Sequence, residues 1–222
     1  MERHFDEELK ALKENLLSMA SLVEKMIDFA VGALEENKPE LAEKVFVLED
    51  DVNRKHLEVD SMCMRMLALR QPIAADLRLI TSAMKINSEL ERIGDQAINI
   101  SQNAKLFLKS QKSMQLFYIP QMADIAKEMI SQSIRGFVDQ DINLAEKVLM
   151  KDDEVDKLKN RTVREFIPLM EKDVSSIEKL FDLVLIARNL ERVADHTTNI
   201  SEDVIFMVSG EDIRHHKKDG KV

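Results

Sequence analysis

The sequence predicts an all-α protein of six long helices, folded as two tandem, duplicated three-helix bundles related by pseudo-twofold symmetry. Composition is the first reason: 222 residues hold only 5 Gly and 4 Pro, too few to turn the strands of a β-sandwich or barrel, beside 45% hydrophobic and 33% charged residues. The second is apolar spacing at the 3.6-residue helical period. The third is internal repetition. LAEKV at residues 41–45 returns at 144–148, an offset of 103, and LERIGDQAINIS from Leu90 returns as LERVADHTTNIS from Leu190, an offset of 100.

Each helix has its own justification. Leu9, Leu12, Leu16, Met19, Val23, Met26, Ile27 and Ala30 draw one apolar stripe along the first. Asn37-Lys38-Pro39 reads as a stop with proline in the first turn of a second helix, and Arg70-Gln71-Pro72 reads the same way for a third. Met129-Ile130 repeats Met26-Ile27 at the 103-residue offset, so a fourth helix opening near Pro120 copies the first. Gln140-Asp141 separates fourth from fifth, residues 168–176 separate fifth from sixth, and Gly210 ends the sixth. Ser175 and Glu178 have capping-box spacing. The three residues lost between Val155 and Glu191 relative to the first copy put the length change at that junction. The halves are residues 1–110 and 113–210, followed by a basic, flexible tail at 211–222.

Charge narrows the partner classes. The net charge of −9 becomes −12 once the terminal RHHKKDGKV is set aside, so the folded body repels phosphate backbones and anionic lipid, which argues against nucleic acid. Cys63, the single cysteine, lies in the apolar run MCMRML and reads as a small buried hydrophobe in a reducing compartment. The start MERHFDEELKALKEN lacks a signal-peptide core, and no run approaches the ~18 apolar residues of a membrane span, so a cytoplasmic protein without an integral membrane segment is expected. GxGxxG, the phosphate-binding P-loop, CxxC and HExxH are all missing, and no enzyme is expected.

The informative chemistry is acidic. Glu91 and Asp95, and their copies Glu191 and Asp195, stand four apart, which projects both carboxylates from one helical face ~5–6 Å apart at Cβ. Asn99 and Asn199 extend these stripes, and the middle helices add Glu49 with Asn53 and Asp152 with Asp156 at the same spacing. Like charges so placed are destabilising by roughly 0.2–0.5 kcal/mol a pair and call for a cation. Arg or Lys from neighbouring helices is one source. A hard divalent metal such as magnesium or calcium, held by facing carboxylates in an all-oxygen shell, is the other. Gly94 and Ala194, just before each aspartate, permit close helix approach beside the cluster and equally suit ordinary packing.

The segment ALRQPIAADLRLITSAMKINSELERIGDQAINIS, residues 68–101, resembles the signature of the PhoU family, accessory regulators of bacterial and archaeal phosphate-specific uptake. With the second-half NLERVADHTTNIS, the resemblance covers about residues 5–209. It implies two similar three-helix bundles, no enzymatic activity and a homodimer. It also implies a negative regulator of the phosphate-starvation response that links the ATPase of the phosphate ABC transporter to a sensor histidine kinase. Family (E/D)xxxD motifs that hold iron or zinc clusters fall on Glu91 and Asp95, Glu191 and Asp195, Asp152 and Asp156, and Glu49 and Asn53. Asn53 departs from that pattern, and a neutral amide is the poorer ligand, so the first-half site is expected to be the weaker.

The remaining candidates carry less. His56, with Asp60 beyond it, and His196 extend the stripes as accessory ligands, although ordinary surface positions are expected of both histidines. Arg78 could anchor phosphate, but an ion pair within the fold is the more ordinary fate of such an arginine. The 13 methionines, including Met62, Met64 and Met66, are expected to be mostly core filler. Two other functions compete: a metal-free helical adaptor docking basic loops on its acidic stripes, and a carboxylate-bridged di-metal enzyme. The enzyme is disfavoured because no histidine has a glutamate three residues before it.

Overall fold

The computed structural model describes residues 2–109 and 114–213. Within them stand six α-helices and one short 3-10 turn: α1 (Glu2–Glu35), α2 (Pro39–Arg70), α3 (Ala74–Leu108), α4 (Ile119–Asp139), α5 (Ile142–Lys172), the turn at Val174–Ser176, and α6 (Ile177–Ser209). The basic segment 214–222 lies outside the described residues.

Local signals set most helix ends. Asn37 takes a left-handed φ of 54°, after which Pro39 enters the first turn of α2, where its missing N–H costs nothing. Gln140, also left-handed, donates its N–H to the Gly136 carbonyl, and the Asp141 carboxylate accepts the Asn143 N–H at 2.9 Å to cap α5. Gly210 closes α6 at φ 80°.

Two junctions differ from expectation. Pro72 does not enter the first turn of α3. Instead α2 stops at Arg70, Gln71 turns left-handed, and Ile73 is the N-cap residue, so this proline ends a helix rather than opening one. In the second half α5 runs through Pro168 to Lys172, and Asp173 caps the 3-10 turn by accepting the Ser175 N–H at 3.0 Å. The N-cap residue of α6 is Ser176, one beyond the predicted Ser175.

Packing follows the duplication. Helices α1, α2 and α3 pack against one another, as do α4, α5 and α6, while the halves meet through α3 against α6 and α1 against α4. Exchanging each helix for its copy returns the same set of pairings, which is the pseudo-twofold relation. The most extensive pairing is α3 with α6. Because α3 and α6 are the shared central pair, they bury residues on several faces, and one contiguous apolar core runs through both halves. Leu12, Leu16, Met19, Val23, Met26, Ile27 and Ala30 of the predicted α1 stripe are fully buried there, with Leu9 packed at its edge. Cys63 is buried too, and burial together with the Asp60 charge pushes its thiol up to about 12. No described helix is long and apolar enough to cross a membrane.

Candidate functional site

Glu49 and Asn53 lie on α2, and Glu91 and Asp95 on α3. Their copies are Asp152 and Asp156 on α5, and Glu191 and Asp195 on α6. Small residues bring these helices together: a Cβ on Gly94 would sit 3.4 Å from Val52 of α2 and 3.7 Å from Val23 of α1, so α1, α2 and α3 converge beside Asp95. Ala194 is fully buried at the equivalent place.

In the first half the carboxylates feel one another. Desolvation and the charges of Asp95, Asp50 and Glu91 hold the Glu49 pKa above the usual carboxylate value. Among the described residues no Lys, Arg or His pairs with Glu49, Glu91 or Asp95. Asn53 is exposed on the same helix.

The second half holds an internal cation. Lys159 Nζ lies 3.0 Å from Glu191 Oε1 and 3.2 Å from Asp156 Oδ1, linking α5 to α6. Burial alone would lower the Lys159 pKa, but the hydrogen bonds and charges of Glu191 and Asp156 reverse this and hold it raised. Asp195 is raised to about 6 by desolvation and by the charges of Glu191, Asp152 and Asp156, with His196 opposing. Sequence reasoning missed Lys159, although its spacing was a signal. It stands three residues beyond Asp156, and the 103-residue offset pairs it with His56, so one half has ammonium where the other has imidazole.

Neither histidine is a plain surface residue. His56 is half-buried, its Nδ1 3.4 Å from the Asn87 carbonyl oxygen and its Nε2 3.6 Å from Asp60. His196 contacts Glu89 across the α3–α6 seam at 2.7 Å, and Asn199 donates to the same carboxylate at 3.1 Å. Burial works to raise the Glu89 pKa, yet these contacts and the Arg92 charge outweigh it and hold the group below its usual value. The copy of Glu89 is Asn189, so the duplicated motif could not advertise this contact. Arg78 donates Nε to the Met207 carbonyl at 3.1 Å, steadying the last turn of α6.

The donor set is chemically suited to a hard cation, all carboxylate and amide oxygen. As the side chains stand, no three Asp, Glu, His or Cys among the described residues form a metal-holding group, so binding requires rotamer adjustment and, in the second half, displacement of Lys159.

Comparison with known proteins gives the chain and its fold their relatives. The PhoU domain matches residues 16–104 and again 119–204. The chain is 39% identical over 208 residues to the phosphate-specific transport system accessory protein PhoU homolog of Aquifex aeolicus, covering 94% of each chain. It is similar to the crystal structure of PhoU from Pseudomonas aeruginosa, with a TM-score of 0.88 and 34% identity over 93% of this chain and 100% of that one. The phosphate transport system regulatory protein PhoU from Streptococcus pneumoniae gives a TM-score of 0.86 and 29% identity over 94% and 98%.

Proposed function

This chain belongs to the PhoU family, and on that premise we propose that it is a cytoplasmic, homodimeric regulator that restrains phosphate uptake and the phosphate-starvation response. It acts by binding, joining the ATPase of the phosphate ABC transporter to a sensor histidine kinase. The observation that carries this reading is near full-length likeness to a relative named as an accessory protein of the phosphate-specific transport system. The acidic body supports it, because its charge steers basic partner surfaces into contact. A strain lacking the gene should express phosphate-uptake genes in phosphate-replete medium. Normal repression in that strain would remove the regulatory role.

In the same reading the acidic stripes take divalent metal: iron or zinc by family resemblance, magnesium or calcium by donor type. Glu49, Glu91 and Asp95 with Asn53 would hold it in the first half, and Asp152, Asp156, Glu191 and Asp195 in the second. Bound metal would neutralise the carboxylates and tie α2 to α3 and α5 to α6. The raised Glu49 and Asp195 carboxyls support this, since each gains from a neighbouring cation. Lys159 supports a second reading, in which a basic side chain from a partner does for the first-half cluster what Lys159 does for the second. Elemental analysis of protein purified without added metal, with melting in each metal separately, discriminates the two. Metal-free protein whose melting ignores millimolar iron, zinc, magnesium and calcium favours the adaptor.

A further inference from the structure

Asn87 of α3 is fully buried and holds two residues of α2 at once. Its Nδ2 donates to the His56 carbonyl at 2.9 Å and to Asp60 Oδ1 at 3.0 Å. Its own carbonyl oxygen stands 3.4 Å from His56 Nδ1. A carbonyl oxygen only accepts, so that contact keeps the ring proton of the neutral imidazole on Nδ1 and leaves Nε2 as an acceptor. Nε2 faces the remaining carboxylate oxygen, Asp60 Oδ2, at 3.6 Å.

Two acceptors are therefore turned toward one point. Their separation exceeds the ~2.7–3.2 Å of a hydrogen bond. It comes close instead to the edge of a tetrahedral shell, since two ligands ~2.1 Å from a zinc ion stand about 3.4 Å apart. Among the described residues no Lys or Arg pairs with Asp60, and Asp60 is the only carboxylate within ion-pair distance of His56. The two side chains are 23% and 41% exposed, so an ion can enter from solvent. Asn87 supplies the support that a metal-bound imidazole and carboxylate need: a backbone carbonyl for the ring N–H and a donor for the second carboxylate oxygen.

This pair stands apart from the acidic stripes. Glu49 lies seven residues from His56, ~10 Å of helix rise, and Asp95 lies eight from Asn87, ~12 Å. Its donors differ as well. An imidazole nitrogen beside a carboxylate suits metals of the zinc type, where the stripes offer oxygen alone. The second half has Lys159, Val163 and Ala187 at the corresponding positions, so the duplication does not repeat the arrangement.

We propose that His56 Nε2 and Asp60 Oδ2 form a separate site for a divalent ion of the zinc type, oriented by Asn87, with water filling the rest of the shell.

The probe is zinc alone, added to the full chain after EDTA treatment and followed by calorimetry and by nitrogen NMR of the imidazoles. Zinc should shift the His56 Nε2 resonance and leave the Nδ1 proton in place. His56→Gln, which identifies that resonance by removing it, should abolish the binding event. Asp60→Asn still offers an oxygen to Asn87 but no charge to the ion, and should weaken the event by about tenfold or more. A third chain carrying Glu49→Gln, Glu91→Gln and Asp95→Asn disables the neighbouring stripe and should keep the His56 response. Circular dichroism checks that each variant is folded. A His56 Nε2 resonance unmoved at saturating zinc, or zinc binding that His56→Gln leaves unchanged, overturns the site. A response lost from the third chain assigns the ion to the acidic stripe and overturns the site as a separate one. An intact His56 response beside stripes that take no metal upholds this site while removing metal from the proposed function.

Discussion

Lys159 decides how the two acidic clusters differ. A metal entering the second half must displace an ammonium already bonded to Glu191 and Asp156, whereas none stands over Glu49, Glu91 and Asp95 among the described residues. Replacing Lys159 by Met should therefore lower stability in chelator by about 1–2 kcal/mol and raise second-half affinity for zinc or magnesium roughly tenfold. Calorimetric titration beside melting in EDTA measures both, and unchanged affinity would show that the ammonium is no competitor. Asp195 supplies the pH dependence. Its folded pKa of about 6 exceeds the ordinary aspartate value of 3.8, so the ionised form carries an electrostatic cost above pH 6. That cost is relieved as pH falls through about 6 towards 4, where the folded chain binds the proton and the unfolded chain does not. Metal requires the carboxylate, so its affinity should move the opposite way, falling about tenfold from pH 7 to pH 5. A flat profile would separate Asp195 from the site. The acid pairs are legible in sequence because both members sit on one helix at a fixed spacing. The reach of Lys159 to Glu191 and of His196 to Glu89 is not, since each crosses between helices and has no local periodicity to betray it.

At the scale of the element, helix interiors are readable and junctions less so. The α1 stripe follows from spacing alone, because a helix on a core must bury one face. Proline reads ambiguously. Pro39 and Pro120 enter helix starts, Pro72 stands outside one, and Pro168 lies within α5, where it withdraws one backbone donor and tertiary packing sustains the helix regardless. Two glycines that look alike in sequence should respond oppositely to alanine. A Cβ on Gly94 meets Val52 at an ordinary 3.4 Å, so Gly94→Ala should be neutral or stabilise by up to about 1 kcal/mol through helix propensity. At Gly136 the added Cβ would stand 3.2 Å from the Asp141 carbonyl oxygen, in backbone fixed by the cap between α4 and α5. Gly136→Ala should therefore destabilise, and urea midpoints of the two variants should move in opposite directions or, for Gly94, not at all.

Across the whole molecule the halves are joined by more than apolar contact. Along the antiparallel α3–α6 seam Glu89 meets His196, Lys85 meets Asp203 at 2.9 Å, and Ser82 donates to the Asp203 carbonyl at 3.2 Å. Glu89→Ala would strip His196 and Asn199 of a shared acceptor and should cost about 1–3 kcal/mol, read as a lower melting temperature. An unchanged melting temperature would mean water satisfies both donors. The repeat arithmetic makes the duplication legible but not this seam, since Glu89, His196, Lys85 and Asp203 differ from their copies Asn189, Gln96, Leu185 and Asn103. Cys63, sealed inside the first half, is a built-in clock for how far that coupling reaches. A thiol reagent can modify it only when α2 opens, and the thiol's unique position means that second-half chemistry contributes no background. If the shared core makes the chain open as one unit, Gly136→Ala, far along the sequence in α4, should hasten labelling of Cys63 by the same factor by which it weakens folding. A labelling rate indifferent to that distant change would show instead that a duplicated protein can keep two separate lifetimes inside one chain.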